Sequence, residues 1–214
     1  MKKVINLLVV DESGSMEVIR PQALAGINET LGTIQALQKE HEDLEQRVTL
    51  ITFDSTHKKL FYYNVKACDA HPLTPDQYSP CGGTPLYDTI GMGIAKVNAQ
   101  AQEGDNVLVT IITDDYENCS TEYNLPMIKT LIEKLKKQNW TFCFIGTDNL
   151  DVKGFSESMG IDNHLQFRED EKGTRDMFRA ERKCRKNFYN SIVLDECCSS
   201  STNYFAHSDS DEAE

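Results

Sequence analysis

The sequence has no apolar run approaching the roughly 18 residues that a membrane-crossing helix needs. That speaks against an integral membrane protein and against a membrane partner. It has no excess of positive charge either. Asp and Glu number 34 against 22 Lys and Arg, a net charge of −12, which excludes the basic footprint of non-specific nucleic-acid binding. No Gly-x4-Gly-Lys-[Ser/Thr] stretch is present to cradle a nucleotide phosphate. No Gly-x-Ser-x-Gly elbow exposes a nucleophilic serine. Cysteine pairs spaced as Cys-x2-Cys are missing, and the seven cysteines are an odd number. Cys68-x2-His71 with Cys81 shows no evident fourth ligand for zinc. Met1-Lys2-Lys3 and the apolar run after it superficially resemble an export leader. That run meets an acid after about seven residues, with no small-residue cleavage site. It reads as a first strand, and the expectation is a cytoplasmic protein with reduced thiols.

What is there is an alternation of apolar runs and amphipathic stretches. Val4 to Val10 reads as a buried strand, and residues 17–44 as a long helix with Ile19, Ala23, Ile27, Leu31, Ile34 and Leu37 on one face. Val48–Phe53 and Lys59–Tyr63 read as a hairpin whose second strand is an edge. After a loop over 64–83, Pro85 sits where a helix starts, with Leu86, Ile90, Ile94 and Val97 as its stripe. Asn106–Thr113 and Trp140–Ile145 read as further buried strands, flanking a helix over about 125–138. A short helix, a short strand near His164–Phe167 and a basic helix over about 171–186 follow. The pattern predicts an α/β fold, a doubly wound and mostly parallel sheet with one antiparallel edge strand and helices on both faces. The expected organisation is a domain over 1–168, a basic C-terminal helix over 169–190, and an acidic, disordered tail over 191–214.

Chemistry concentrates where strands give way to helices. Asp11-Glu12-Ser13-Gly14-Ser15-Met16 follows the first strand and sets an acid and two hydroxyls two residues apart, with Gly14 free to bend. The same residues suit a helix N-cap. Open α/β sheets bind ligands at the carboxyl ends of their strands, and two later junctions fall at that end with oxygen side chains, Thr84 and Asp114. Small oxygen ligands suit a hard cation such as Mg²⁺.

In this order and context the three stretches resemble the von Willebrand factor type A domain. Asp11-Glu12-Ser13-Gly14-Ser15 matches that family's Asp-x-Ser-x-Ser motif. Gly83-Thr84-Pro85-Leu86-Tyr87-Asp88 looks like its second loop, and Ile112-Thr113-Asp114 like its third. The likeness covers roughly residues 3–168. It implies a metal-ion-dependent adhesion site in which Ser13, Ser15 and Thr84 offer hydroxyls to Mg²⁺ (or Mn²⁺ or Ca²⁺), while Asp11 and Asp114 act directly or through water. One departure stands out: the family's third loop commonly reads Asp-Gly, where this chain has Asp114-Asp115. The compact form is similar to intracellular, stand-alone bacterial members, including those of the tellurium-resistance type.

Only two of those five side chains are charged, which leaves the ion residual positive charge and one position for water. The expected function is metal-dependent protein–protein interaction, in which a partner's carboxylate replaces that water, in a stress-response or signalling complex, with no enzymatic activity. The alternatives are a Mg²⁺-dependent phosphohydrolase and a structural domain with a stabilising ion. A haloacid-dehalogenase-type phosphohydrolase wants a second Asp where Ser13 stands. His57 and His71 read as loop or strand-edge residues, Tyr87 and Tyr116 as candidates for the rim, and Asp88 as a hydrogen-bonding group within its own loop or helix.

Overall fold

A computed structural model describes residues 2–194 together with Tyr204 and Phe205. Six strands form one sheet in the order β3-β2-β1-β4-β5-β6. The strands are β1 (Lys2–Asp11), β2 (Leu44–Phe53), β3 (Lys58–Lys66), β4 (Asn106–Thr113), β5 (Trp140–Thr147) and β6 (Asn163–Phe167). Only β3 runs antiparallel, against β2; the other neighbours are parallel. The expected fold class is therefore the observed one.

The helices are α1 (Arg20–Glu40), α2 (Leu86–Asn98), α3 (Leu125–Leu135), α4 (Val152–Ser158) and α5 (Glu171–Val193). Alternation along β1 divides the core. Leu8 and Val10 join the α1 and α5 side chains Ile27, Leu31, Met177 and Phe178 on one face. Ile5, Leu7 and Val9 meet Ile90, Ile94, Ile128 and Ile132 of α2 and α3 on the other. A strand covered on both faces is mostly apolar, which is why β1, β4 and β5 read as nearly continuous apolar runs, broken inside by Asn6, Thr110 and Thr141.

Several boundaries differ from the sequence reading for local reasons. A 3-10 turn over Gly14–Ile19 precedes α1, which begins at Arg20 with Pro21 in its first turn. The helix ends at Glu40 rather than at Leu44, which instead opens β2. Leu44, Gln46 and Val48 alternate inward along that strand, a period-2 pattern hidden by their polar neighbours. Pro85 is the N-cap of α2, one residue before the helix. The last turn of α3 tightens into a 3-10 turn and stops at Asn139 in the left-handed region, φ 59°.

α5 is the largest departure. It extends to Val193, and its basic face is not all solvated: Arg185 is fully buried, donating to Glu181, to Asn6 Oδ1 (2.6 Å) and to Thr110 Oγ1 (3.0 Å). Within the stretch expected to be a disordered tail, Ser191–Val193 complete α5, and Tyr204 and Phe205 are buried. Tyr204 donates its N–H to Asn163 Oδ1 (2.7 Å) and its hydroxyl to Glu181 Oε1 (3.2 Å). The rest of the tail, residues 195–203 and 206–214, lies outside the described residues.

α1 and α5 approach closely at Gly26, where an added Cβ would sit 1.9 Å from the Phe178 ring. Gly26→Ala is therefore expected to destabilise the protein by about 1–3 kcal/mol, the usual range for overpacking, despite the better helix propensity of Ala. Urea unfolding of the two proteins measures this directly.

Candidate metal centre

Strand β1 lies between β2 and β4, and the chain leaves β1 and β4 toward opposite sides of the sheet. The gap between their carboxyl ends is the switch point at which such sheets form a crevice. Asp11 ends β1 and Thr113 ends β4, so the loops they start open side by side there.

Hydrogen bonds tie the three loops into a triangle. Gly14 N–H donates to Gly82 O (3.0 Å) and Cys81 N–H to Glu12 O (2.9 Å), joining the first loop to the second. Asn118 joins the second to the third: its side chain accepts from Thr84 N–H (2.8 Å), and its own N–H donates to Thr84 O (3.1 Å). Thr113 joins the third to the first, donating its hydroxyl to Asp11 Oδ2 (2.5 Å). Asp11 Oδ1 accepts from Ser13 N–H (2.7 Å), which turns the chain so that the Ser13 and Ser15 hydroxyls lie 3.2 Å apart. The N-cap reading of this stretch is not what the side chains do, since neither Ser13 ahead of the 3-10 turn nor Ile19 ahead of α1 makes a side-chain cap.

Two of the five sequence-derived candidates carry polar atoms with nothing to bond. Thr84 Oγ1 and both carboxylate oxygens of Asp114 are buried without a hydrogen-bond partner, the residues being 0% and 5% exposed. Buried polar atoms are nearly always satisfied, and leaving one bare costs roughly 1–3 kcal/mol. Burial pushes the Asp114 carboxyl up to about 6; the nearby Ser15 hydroxyl offsets part of this without reaching hydrogen-bond geometry, while the Glu169 and Asp115 charges add to it. Burial pushes Asp11 up to about 7; the Thr113 and Ser13 hydrogen bonds pull it back and the Asp114 charge raises it further. Two raised acids, three hydroxyls and unsatisfied oxygens are the donor set of a hard divalent cation. The residues fit such an ion. Among the described residues no three His, Cys, Asp or Glu side chains converge as metal ligands, so this donor set depends on its hydroxyls. The Cys68, His71 and Cys81 spacing gathers no zinc site: Cys68 Sγ faces Asp69 (3.6 Å) and Cys81 Sγ faces Asp54 (3.5 Å).

At the Asp114-Asp115 departure the two acids differ in what they bond to. Asp115 Oδ1 accepts from Tyr116 N–H (2.7 Å) and Oδ2 from Asn118 (3.4 Å), so its carboxylate is spent on the loop. Nor is Asp115 left-handed; among the described residues the only non-glycine positive φ values are at Asn64 and Asn139. The glycine common at this place in the family is not needed for the turn.

Glu12 and Tyr78 also hold the site and were not singled out from the sequence. Glu12, fully buried, accepts from Thr52 Oγ1 (2.5 Å), Ser79 N–H (2.5 Å) and Lys59 Nζ (2.6 Å), pinning the first loop to β2, β3 and the second loop. Tyr78 donates its hydroxyl to Asp11 O (2.7 Å). Asp88 does not bond within its own loop. It accepts from the N–H groups of Thr121, Glu122 and Tyr123 and pairs with Lys58 at 3.6 Å. Burial alone would raise its pKa, but those N–H groups and the Lys58 ammonium outweigh it and hold the carboxyl below its ordinary value. Tyr116, 42% exposed, stands at the rim with its ring edge-on to Phe155. Tyr87 is half-buried against the same ring. His57 Nδ1 lies beside Thr56 (2.5 Å) and 3.5 Å from Asp54, a turn contact between β2 and β3.

The raised Asp11 pKa makes a signed prediction. An acid whose folded-state pKa exceeds its unfolded value of 3.8 stabilises the fold fully below that value. The contribution is lost as pH rises through about 7. In chelator, the parent should therefore lose about 2–4 kcal/mol relative to Asp11→Asn between pH 4 and pH 8. Urea unfolding of both proteins in EDTA at the two pH values checks this; parallel pH profiles would contradict it.

Among curated proteins, none matches this sequence. Solved structures match over most of the chain. The PilB minor pilin from Streptococcus sanguinis superposes with a TM-score of 0.58 at 13% identity, over 91% of this chain and 63% of the pilin. The SpRpn10 VWA domain gives 0.58 at 11% identity, over 83% of this chain and 94% of that one. The vWF domain of the type V pili tip protein Mfa5 from Porphyromonas gingivalis gives 0.58 at 10% identity, over 91% and 96%. This chain thus spans less than two thirds of the pilin and nearly the whole of the two isolated domains. At such identities the likeness is one of fold. A family model for the von Willebrand factor type A domain matches residues 7–180, a range that holds all three loops. The chain belongs to the von Willebrand factor type A domain family.

Proposed function

We propose that this protein is a metal-dependent protein-interaction domain. Ser13, Ser15 and Thr84 supply hydroxyl oxygens, and Asp11 and Asp114 supply carboxylates, to one Mg²⁺ ion or a similar divalent cation. The observation that carries this reading is the bare, buried Thr84 hydroxyl and Asp114 carboxylate at the crevice. A site without an ion gains nothing from either. When bound, the ion would act as a Lewis acid toward a carboxylate oxygen of another protein.

What the chain's own residues contribute is position. Asn118 fixes the backbone of Thr84 from both sides. Glu12 and Tyr78 hold the backbone around Asp11. The Asp88 clamp on residues 121–123 steadies the third loop. Such a prepaid geometry keeps the cost of ordering low when a partner arrives. A minor pilin and a pilus tip protein among the structural neighbours carry the same fold, which supports an interaction role over a catalytic one. The five described cysteines are all free, which favours a reducing compartment such as the cytoplasm.

The test is a Mn²⁺ titration followed by electron paramagnetic resonance, run beside capture of partners in Mg²⁺ and in EDTA. The parent should bind one ion and lose its partners in EDTA. Asp11→Ala and Asp114→Ala should bind neither ion nor partner. Partners retained unchanged by all three proteins in EDTA would contradict the reading.

A further inference from the structure

The crevice opens through a rim that is more acidic than the ion would be positive. Asp11 and Asp114 already balance the two charges of a divalent ion. Thr147 at the end of β5 donates its hydroxyl to Asp114 O (3.2 Å), which brings that strand end against the third loop. Asp148, exposed, follows β5 directly and accepts from Glu169 N–H (3.1 Å). The cations bordering this end are committed elsewhere: Lys58 to Asp88, Lys59 to Glu12, Arg20 to Glu17 and Arg168 to Asp170. With the ion's two charges balanced by its own ligands, the face around it is negative. Tyr116 offers an exposed ring among these acids, a surface on which a guanidinium stacks.

Resting on the metal reading above, we infer that the partner presents its carboxylate between arginines, as a glutamate or aspartate flanked by guanidinium groups that the Asp148 and Glu169 rim receives. Two independent observations meet in this surface. The bare Thr84 and Asp114 oxygens point to a ligand at the centre, and the uncompensated acids select its surroundings. Complementary charge chooses partners and speeds encounter, and like charge across an interface excludes the wrong ones. An acidic segment is excluded, including this chain's own Ser208-Asp209-Ser210-Asp211-Glu212-Ala213-Glu214. The rim thus keeps the chain's own many carboxylates off its ion.

The experiment uses the full chain at saturating Mg²⁺ and three end-blocked, dye-labelled peptides: Gly-Arg-Glu-Arg-Gly, Gly-Gln-Glu-Gln-Gly and the sequence of residues 208–214. Fluorescence anisotropy reads their affinities. The arginine-flanked peptide should bind at least tenfold tighter than the glutamine-flanked one and lose its binding in EDTA. The acidic peptide should bind weakest. The preference should shrink to under threefold in the double variant Asp148→Asn/Glu169→Gln and in high salt, where exposed charges are screened. Equal affinities for the first two peptides, no Mg²⁺-dependent binding of the arginine peptide, or arginine-peptide binding undiminished by EDTA would each overturn the inference. Mn²⁺ binding measured on the same samples separates the two failures. If the ion binds and the peptide preference is absent, the rim proposal alone is wrong; if the ion does not bind, the metal reading falls as well.

Discussion

Magnesium should raise the unfolding midpoint of the parent protein by about 5–10 °C and leave that of Asp114→Ala unmoved. The size follows from linkage. An ion present at roughly a hundred times its dissociation constant stabilises the folded state by about 2.7 kcal/mol, and a domain of this length shifts by about 2–4 °C per kcal/mol. The variant removes the one buried carboxylate, among the described residues, whose two oxygens both have no protein partner. In chelator the same change costs little or relieves the fold, because a buried bare acid is a penalty and not a contact. Thr84→Val should behave alike: its added methyl replaces a hydroxyl that bonds to nothing, so stability in EDTA is kept or improved while the magnesium shift disappears. A change at an ordinary buried polar residue lowers stability in both conditions. Crossed behaviour, neutral or stabilising without metal and null with it, marks a ligand. Differential scanning calorimetry in Mg²⁺ and in EDTA reads both variants in one series.

Glu181→Ala should destabilise the protein by about 3–5 kcal/mol, the cost of leaving a buried charge without its partner. Glu181 is the counter-ion of Arg185, with Oε1 2.6 Å from Nη2, and both side chains are shut off from solvent. Arg185 further donates to Asn6 on β1 and Thr110 on β4, and Tyr189 shares the Asn6 oxygen (2.7 Å). The network thus fastens α5 to β1 and β4, the two central strands that lead to Asp11 and Asp114. Replacing Glu181 and Arg185 together by Leu and Met should recover much of the loss, since apolar residues of similar volume often match a buried pair. Urea unfolding of the single and double variants measures it; a single variant within 1 kcal/mol of the parent would show that Arg185 reaches water or another acid.

Much of this could be read from residues in order. The strand–helix alternation gave the doubly wound sheet because each buried strand is a nearly continuous apolar run and each covering helix a stripe. The three loops could be found because glycine, small hydroxyls and an acid fall where strands end. The polar contents of the core could not. Arg185 and Glu181 sit four apart on a helix that reads as solvated and basic, and no periodicity distinguishes a buried ion pair from an exposed one. Tyr204 and Phe205 stand in a segment whose composition is that of a tail, yet they cover β5 and β6 beside α5. Leu44 looked like the last apolar residue of α1 because Glu42, Asp43 and Glu45 mask the alternation that begins there. At the site itself, motif and spacing supplied the ligand candidates, while the residues that position them, Glu12, Tyr78, Thr113 and Asn118, act through contacts across loops far apart in sequence.

The most direct measurement is the anomalous scattering of crystals grown with Mn²⁺. The account predicts one peak in the crevice between β1 and β4, within coordination distance of the Ser13 and Ser15 hydroxyls and of Thr84 Oγ1 or an Asp114 oxygen. Crystals that show those oxygens bare, with no peak among them, would contradict it.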